Sequence, residues 1–583
     1  MGSQSSGVDV VTTEIIRNGL IAATDEMART LVRTAFNPLL YEVQDFSVCI
    51  VSADARLWAE TSGITIFSRA LPDVVKGGLR KYGVGGIAEG DVLIANDPYE
   101  TGSHISDTSV YMPVFHGGEL IAFAASTAHW ADIGGKNPGG WCPDSTDVYQ
   151  EGICFTHQKL VAGGERNEAL WDLIAHNVRV PVTVKGDLEA QIAACLQGAE
   201  RVKAVCGKYG SAAVNAAMDR VIAETAKVMA GKIAEIPDGD YGASLHLDAD
   251  GVDPEGEFNI AVQVRIAGNK IRFSFDGSSP AAKGPINLPE IGAVGAVFTV
   301  LKGLILPHDP TNEGHFQDLE VDLPPGLLVS PQRPSPTDSF GYVLNSLIEL
   351  MLRALSEALP ERCPAGGLQM FGVGFNRINP RDGKPFIYLE PLGGGNGGQP
   401  AGDGPTMTII GGGDVPNVPV EVMENRFPLQ TTCLELFPEV AGAGMFRGGF
   451  GIRKDYRILE SGIFLSFSTE NTEDVLCRGM KGGNSGLPSA VVIAPGTDSE
   501  AVFNECVSYY GPLPEDEIVS LRSGGGGGWG DPRGRDPERV LGDVRNGFIG
   551  AEDARTHYGV TVIEDQHGWR VDEKQTNILR SES

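Results

Sequence analysis

Residues 96–107 run Asn-Asp-Pro-Tyr-Glu-Thr-Gly-Ser-His-Ile-Ser-Asp, and residues 129–135 run His-Trp-Ala-Asp-Ile-Gly-Gly. Each stretch sets an acid three residues after a histidine: Asp107 after His104, and Asp132 after His129. Imidazole with carboxylate is a ligand set that holds a catalytic divalent metal and leaves a position open for water or substrate. The chain has only ten histidines, so two such pairs in one short region carry weight. His104, Asp107 and His129 form the core of the expected site. A fourth ligand comes from Asp132 or from Asp45, which sits in Glu42-Val43-Gln44-Asp45-Phe46-Ser47. Such a set suits zinc, manganese or iron, and the residue types alone do not choose.

Other chemistry is less well supplied. No G-x-x-x-x-G-K-[ST] occurs, and Gly393–Gly398 is followed by no helical pattern, so a self-contained nucleotide site is not expected. Glycine runs can cradle anions, but they more often permit left-handed turns. Ser126 precedes His129 and Asp132 without the G-x-S-x-G elbow of a hydrolase triad. Asp144, Asp147 and Glu151 read as a solvated acidic face. Cys142 and Cys154 have no thiolate partner at ligand spacing and read as small buried hydrophobes.

The elements that must position these residues come from 583 residues, 42% hydrophobic and 21% charged, enough for several cores. A net charge of −30 would repel a phosphate polymer, which argues against nucleic acid. Nine scattered cysteines with no C-x-x-C argue against a disulfide framework and for a reducing compartment. Met1 to Thr13 lacks the basic-then-apolar order of a signal peptide, and no apolar run is long enough to span a bilayer. A cytoplasmic location is expected.

The patterning predicts an α+β fold, mixed and multi-layered, with a helical N-terminal part followed by β-rich segments and glycine-rich loops. Thr12–Arg33 has an apolar helical face with Thr12 or Thr13 as its cap. Phe46–Val51 reads as a strand, and Asp91–Ala95, Val110–Val114 and Leu120–Ala125 as strands between turns. Asp187–Ile236 reads as two helices broken near Gly207–Gly210, and Phe340–Leu359 as an apolar helix. Ile260–Ile266 and Ile271–Phe275 flank a turn and predict a hairpin. The expected domains are 1–236, bearing the metal; 237–523, β-rich and mixed; and 524–583, where Gly524–Gly528 links to a small C-terminal segment.

The run Asn96-Asp97-Pro98-Tyr99 to Asp107, then Ala128-His129-Trp130-Ala131-Asp132-Ile133-Gly134-Gly135, then Gln150-Glu151-Gly152, resembles the hydantoinase B/oxoprolinase family. The likeness continues through Asn177-Val178-Arg179, Gly186–Gln191, Phe275–Pro280, Asn417–Glu421, Arg447–Gly451, Gly524–Pro532 and His557–Val560, nearly the whole chain. That family includes hydantoinase and lactamase B-type subunits and the large subunits of acetone and acetophenone carboxylases. The resemblance implies a division of labour. A separate A-type subunit with an actin-like ATPase fold takes ATP and Mg2+ and phosphorylates the substrate carbonyl, and the B-type subunit carries one divalent metal, zinc or manganese. It also implies the ligands Asp45, His104, Asp107 and His129, because the Glu-x-x-Asp-Phe-Ser block stands here as Glu42 to Ser47. Asp132 is then the expected partner of a ligating histidine, and Glu42 the expected general base. Departures leave these ligands untouched and bear on the identity of the substrate. Gly63–Ser68 lacks a histidine the family usually shows, Pro438–Gly442 replaces an Asp-Ser-Gly run, and Thr101 and Ser106 replace a glycine and a proline.

The implied function is the B-type subunit of an ATP-dependent hydrolase opening a cyclic amide: hydantoin, oxoproline or lactam. An amide carbonyl is a poor electrophile, and phosphorylating its oxygen removes the nitrogen's resonance and supplies a leaving group. A divalent cation then supplies water acidic enough to attack at neutral pH. The alternatives are an ATP-dependent ketone carboxylase subunit, whose large chains are longer, and a non-catalytic scaffold for the ATPase.

Overall fold

The computed structural model describes residues 8–61, 63–253, 255–317, 319–369, 371–378, 384–411, 413–414, 416–469, 477–503, 507–566 and 568–581. Of the residues read above, Met1 to Gly7 and one of the nine cysteines, Cys506, lie outside these. The chain divides into two compact units. One comprises Met1–Ala243, Ile260–Leu347 and Asn376–Leu389; the other comprises Ser244–Asn259, Ile348–Phe375 and Glu390–Ser583. The fold is α+β, with a helical N-terminal part.

The first unit is built on a seven-stranded sheet: β1 (Phe46–Ser52), β2 (Leu57–Glu60), β3 (Val92–Ala95), β4 (Asp107–His116), β5 (Glu119–His129), β6 (Thr156–Ala162) and β7 (Glu165–Arg166). The strand order is β2-β1-β5-β4-β3-β6-β7 and every pairing is antiparallel. Side chains alternate across a strand, so a sheet covered on both faces reads as a continuous apolar run. In β1, Val48 and Ile50 face one core and Cys49 and Val51 the other. The first core is closed by the helices Val10–Thr34 and Pro181–Tyr209, through Leu20, Met27 and Leu31 and through Leu188, Cys195 and Val202. The second is closed by the helix Thr65–Tyr82, through Leu71, Val74 and Val75.

The cap of the first helix is Asp9, whose carboxylate accepts from Thr12 N, rather than Thr12 or Thr13. An aspartate there serves better, because an anion also meets the positive end of the helix dipole. The alanine-rich region forms the helices Pro181–Tyr209 and Ser211–Ile233, broken at Gly210 in the left-handed region with φ +85°. The helix that starts at Phe340 stops at Leu355. The predicted hairpin is present, with Phe258–Ala267 antiparallel to Lys270–Ser274.

In the second unit the sequence reading of Gly524–Gly528 as a linker is corrected. These glycines are buried and hydrogen-bonded on several sides to other glycine-rich segments. Gly398 N donates to Gly527 O at 2.8 Å, Gly526 N to Gly449 O at 3.0 Å, and Gly528 N to Asn484 O at 2.8 Å. A Cβ at Gly526 would lie 1.9 Å from Asn396 O, and one at Gly449 1.9 Å from Pro405 O. Extended backbones pack here with no room for side chains, so the glycine serves close approach rather than flexibility. Beyond it, Val540, Leu541, Ala554, Tyr558 and Val560 form a small core. Arg535, 1% exposed, ties this segment to the rest of its unit through an ion pair with Asp403 and also pairs with Asp543 inside the segment.

Candidate metal centre

The register of one hairpin creates the site. Strands β4 and β5 meet through Gly117 and Gly118, both in the left-handed region at φ +62° and +83°, the geometry a tight two-residue hairpin turn requires. From that turn the ladder runs back until Asp107, the first residue of β4, pairs with His129, the last of β5. The neighbouring strand adds Asp45, the residue before β1, whose carbonyl accepts from His129 N at 3.2 Å. His104 lies in the loop leading into β4. That loop follows a four-residue helix, Pro98–Thr101, capped by Asp97 and closed by Gly102. Asn96, fully buried, clamps the loop by donating to Ile105 O and Ile153 O.

Three donor atoms converge. His104 Nε2 lies 3.2 Å from His129 Nδ1 and 3.2 Å from Asp107 Oδ1, and His129 Nδ1 lies 3.2 Å from Asp107 Oδ1. This group is the candidate metal-holding cluster found among the described residues. Ligand lengths of ~2.1 Å give donor–donor edges of about 3.0 Å in an octahedron and about 3.4 Å in a tetrahedron, so the triangle fits one face of either. All three residues are buried. Among the described residues, both oxygens of Asp107, and Nε2 of His129, have no hydrogen-bond partner of acceptable geometry. Buried polar atoms are normally satisfied, and a cation on this face would satisfy the carboxylate. Asp45 Oδ2 stands 3.9 Å from His129 Nδ1 with its side chain 18% exposed, within reach as a fourth donor.

The electrostatics point the same way. Burial disfavours charge on His104, yet the carboxylates of Asp107 and Asp338 outweigh it and raise its pKa to about 9. Burial likewise opposes the charge on Asp107, but the two imidazoles hold it well below the usual carboxylate range. Burial pushes Asp45 up to about 6, with Asp107 adding repulsion and the histidines opposing it. The cluster therefore demands positive charge, from protons or from a metal ion. His104 Nδ1 lies 2.8 Å from Asp338 O. A carbonyl only accepts, so Nδ1 carries the hydrogen and Nε2 turns its lone pair to the triangle in the neutral ring.

The structure corrects two readings of the sequence. Asp132 is not brought to either histidine. Its Oδ1 accepts from Gly139 N at 3.1 Å and Arg179 Nη1 at 3.0 Å, and its Oδ2 from Arg179 N at 2.6 Å. It orders the Arg179 side chain, which also donates to Gly135 O. Glu151 is not solvated: it is 1% exposed and accepts from Ser145 Oγ, Thr337 N and Asp338 N. Glu42 is half-buried just past the short helix Pro38–Tyr41, as its C-terminal cap.

Sequence reasoning missed Asp338. Its carbonyl fixes His104, its Oδ2 accepts from Cys142 N at 2.8 Å, and burial raises it to about 6 against the opposing pull of His104, the Cys142 N–H and His129. Thr337-Asp338-Ser339 stands directly before the Phe340 helix, so it reads locally as capping. Its only signal is the long-range closure through Glu151.

A family model described as Hydantoinase B/oxoprolinase matches residues 9–532. The chain is 31% identical over 593 residues to the B-type chain of a putative D-/L-hydantoinase from Pseudomonas sp. (strain NS671), covering 98% of each. The crystal structure of ATP-dependent caprolactamase from Pseudomonas jessenii matches with a TM-score of 0.88 at 28% identity, over 98% of this chain and 100% of that one. Acetone carboxylase in its nucleotide-free form shares the fold, with a TM-score of 0.87 at 19% identity over 98% of this chain and 82% of that one. On the family match and the relative that is 31% identical throughout, this chain belongs to the hydantoinase B/oxoprolinase family.

Proposed function

We propose that this chain is the B-type subunit of an ATP-dependent hydrolase of cyclic amides (a hydantoin, oxoproline or lactam), working on a carbonyl phosphorylated by a separate A-type, actin-like ATPase subunit in a cytoplasmic hetero-oligomer. The observation that carries the reading is the triangle of buried donors 3.2 Å apart. His104, Asp107 and His129 would hold a zinc or manganese ion, with Asp45 as the fourth donor. Such an ion supplies Lewis acidity and lowers the pKa of water toward neutrality. The protein's own part is to fix that face. Asp338 O orients His104, the β4–β5 ladder sets Asp107 against His129, and the burial of all three excludes bulk solvent. Glu42, three residues before Asp45, is the candidate general base.

The test is metal analysis of the purified chain, then turnover with and without the ATPase partner. Wild type carries about one equivalent of metal, and His104→Ala and His129→Ala lose it. Turnover requires partner and ATP together. Stoichiometric metal retained in His104→Ala would favour the scaffold reading, and turnover by the chain alone without ATP would defeat the two-subunit scheme. The fold shared with acetone carboxylase makes carboxylation the second reading. Isotopic label from bicarbonate retained in the product would establish it and reject hydrolysis.

A further inference from the structure

The second unit holds a cluster of positive charge that the metal centre does not use. A cleft of about 230 Å³ is lined by Arg353 from the helix Phe340–Leu355, by Arg478 and Lys481 from one loop, and by Glu349, Ser356 and Gly366. Three cations face one carboxylate. Glu349 is already engaged: its Oε1 accepts from Arg353 Nη2 at 3.0 Å and its Oε2 from Gln369 Nε2 at 2.6 Å. Arg353 Nη1 is buried and has no hydrogen-bond partner among the described residues. Among the described residues, neither Arg478 nor Lys481 makes an ion pair or side-chain hydrogen bond, and both are exposed to the cleft's solvent. The repulsion is felt: the Arg353 guanidinium, followed by burial, pulls Arg478 below the usual arginine range.

In a chain of net charge −30, acids are plentiful, so unpaired cations gathered in one cleft are an unspent interaction. The last turn of the helix brings the partial negative charge of its carbonyl ends toward Arg353, about half an elementary charge. That does not cancel the cleft's excess of positive charge. Guanidinium forks match the oxygen pairs of phosphate, and an ammonium adds a point charge.

We propose that the Arg353–Arg478–Lys481 cleft binds a small phosphate, free or as a compact monoester, with the Arg478 fork on its oxygens, Lys481 at the mouth and Arg353 lending its charge from the wall. The site is independent of the metal centre and of the reaction assigned above. Isothermal titration of the full chain after metal removal with EDTA tests it, using inorganic phosphate and methyl phosphate in 0.1 M chloride. Saturable one-site binding is expected. Arg478→Ala and Lys481→Ala, both surface changes, should weaken it at least tenfold and threefold respectively, with unchanged circular dichroism. His104→Ala should bind as wild type, which separates this cleft from the metal centre. Tighter binding of inorganic phosphate assigns free phosphate as the ligand, and tighter binding of methyl phosphate assigns a monoester. No saturable heat with either probe, or undiminished binding in Arg478→Ala, would overturn the proposal.

Discussion

Replacing Glu151 by glutamine should remove a proton-binding site while keeping its hydrogen bonds. Oε1 accepts from Ser145 Oγ at 2.8 Å, Thr337 N at 2.8 Å and Asp338 N at 3.0 Å, and Oε2 lies 3.2 Å from Thr337 Oγ1. Burial, then repulsion from Asp338, pushes this carboxyl from its ordinary 4.5 to about 8. An acid whose folded pKa is raised holds a proton after the unfolded chain has released it. Its contribution to stability is therefore complete below the unfolded value near 4.5 and is lost as pH rises through about 8. The slope in that window is about 1.4 kcal/mol per pH unit for one proton. Glutamine keeps an oxygen for the three donors and turns an NH2 toward Thr337 Oγ1, as the protonated acid turns its hydroxyl. Urea unfolding of metal-free wild type and Glu151→Gln, in half-unit steps from about pH 4.5 to 8.5 and read at the transition that includes the first unit, gives both curves. They should agree within about 1 kcal/mol at the acid end and diverge upward, with glutamine the more stable by a few kcal/mol at pH 8. Asp338 adds to the same sign, because losing its neighbour's charge eases its own ionisation. Parallel curves, or a glutamine variant less stable at pH 8, would refute the assignment of Glu151 as a buried, largely protonated clamp.

Asp132→Asn should cost roughly 2 kcal/mol, the loss of charge-assisted bonds to Arg179, and leave metal content by mass spectrometry at the wild-type level. Gly526→Ala puts a Cβ 1.9 Å from a backbone oxygen that cannot swing away, so a loss of at least ~3 kcal/mol, or no soluble protein, is expected. Gly231→Ala, in the helix Ser211–Ile233 with nothing within 4 Å of the new methyl, should instead gain up to about 1 kcal/mol by denaturant unfolding. Gly78→Ala pits that same propensity gain against a Cβ 1.9 Å from Tyr111 Oη. Tyr111 is held by its 2.9 Å hydrogen bond to His157 Nδ1, so the clash wins and a net loss of about 1–2 kcal/mol is expected.

The parts of the fold legible in the sequence were those set by local periodicity. The N-terminal helix, the break at Gly210 and the Phe258–Ser274 hairpin each lie where apolar spacing and turn residues place them. The glycine runs were misread because a run of glycine is locally the same whether it is a loose linker or a packed rod. The difference lies in partners such as Asn396 and Gly449, far away in sequence. The first-unit sheet was seen only in short pieces: β4 and β5 extend three or four residues past the apolar runs Val110–Val114 and Leu120–Ala125, through Thr108, Ser109, Ser126 and Thr127. Those residues are polar yet buried. Ser109 Oγ and Thr127 Oγ1 satisfy each other at 2.7 Å, a pairing no single-strand pattern reveals.

That polar extension is what makes the site. The ladder must continue to its last pair for Asp107 and His129 to face each other, and a shift of one residue would send each side chain to the opposite face of the sheet. Spacing therefore found His104, Asp107 and His129 as residue types but not as a geometry, and it offered Asp132 on equal terms with Asp45. Register decides between them. Asp45 precedes β1, which runs beside β5 and returns its carbonyl to His129 N. Asp132 lies three residues past the end of β5, where the chain has turned toward Arg179. The sheet thus carries Asp45, and not Asp132, to that histidine. Metal content should follow that order: Asp45→Asn should lose affinity by about 10- to 100-fold, while Asp132→Asn keeps it. Equal loss in both would mean the ladder does not define the coordination sphere.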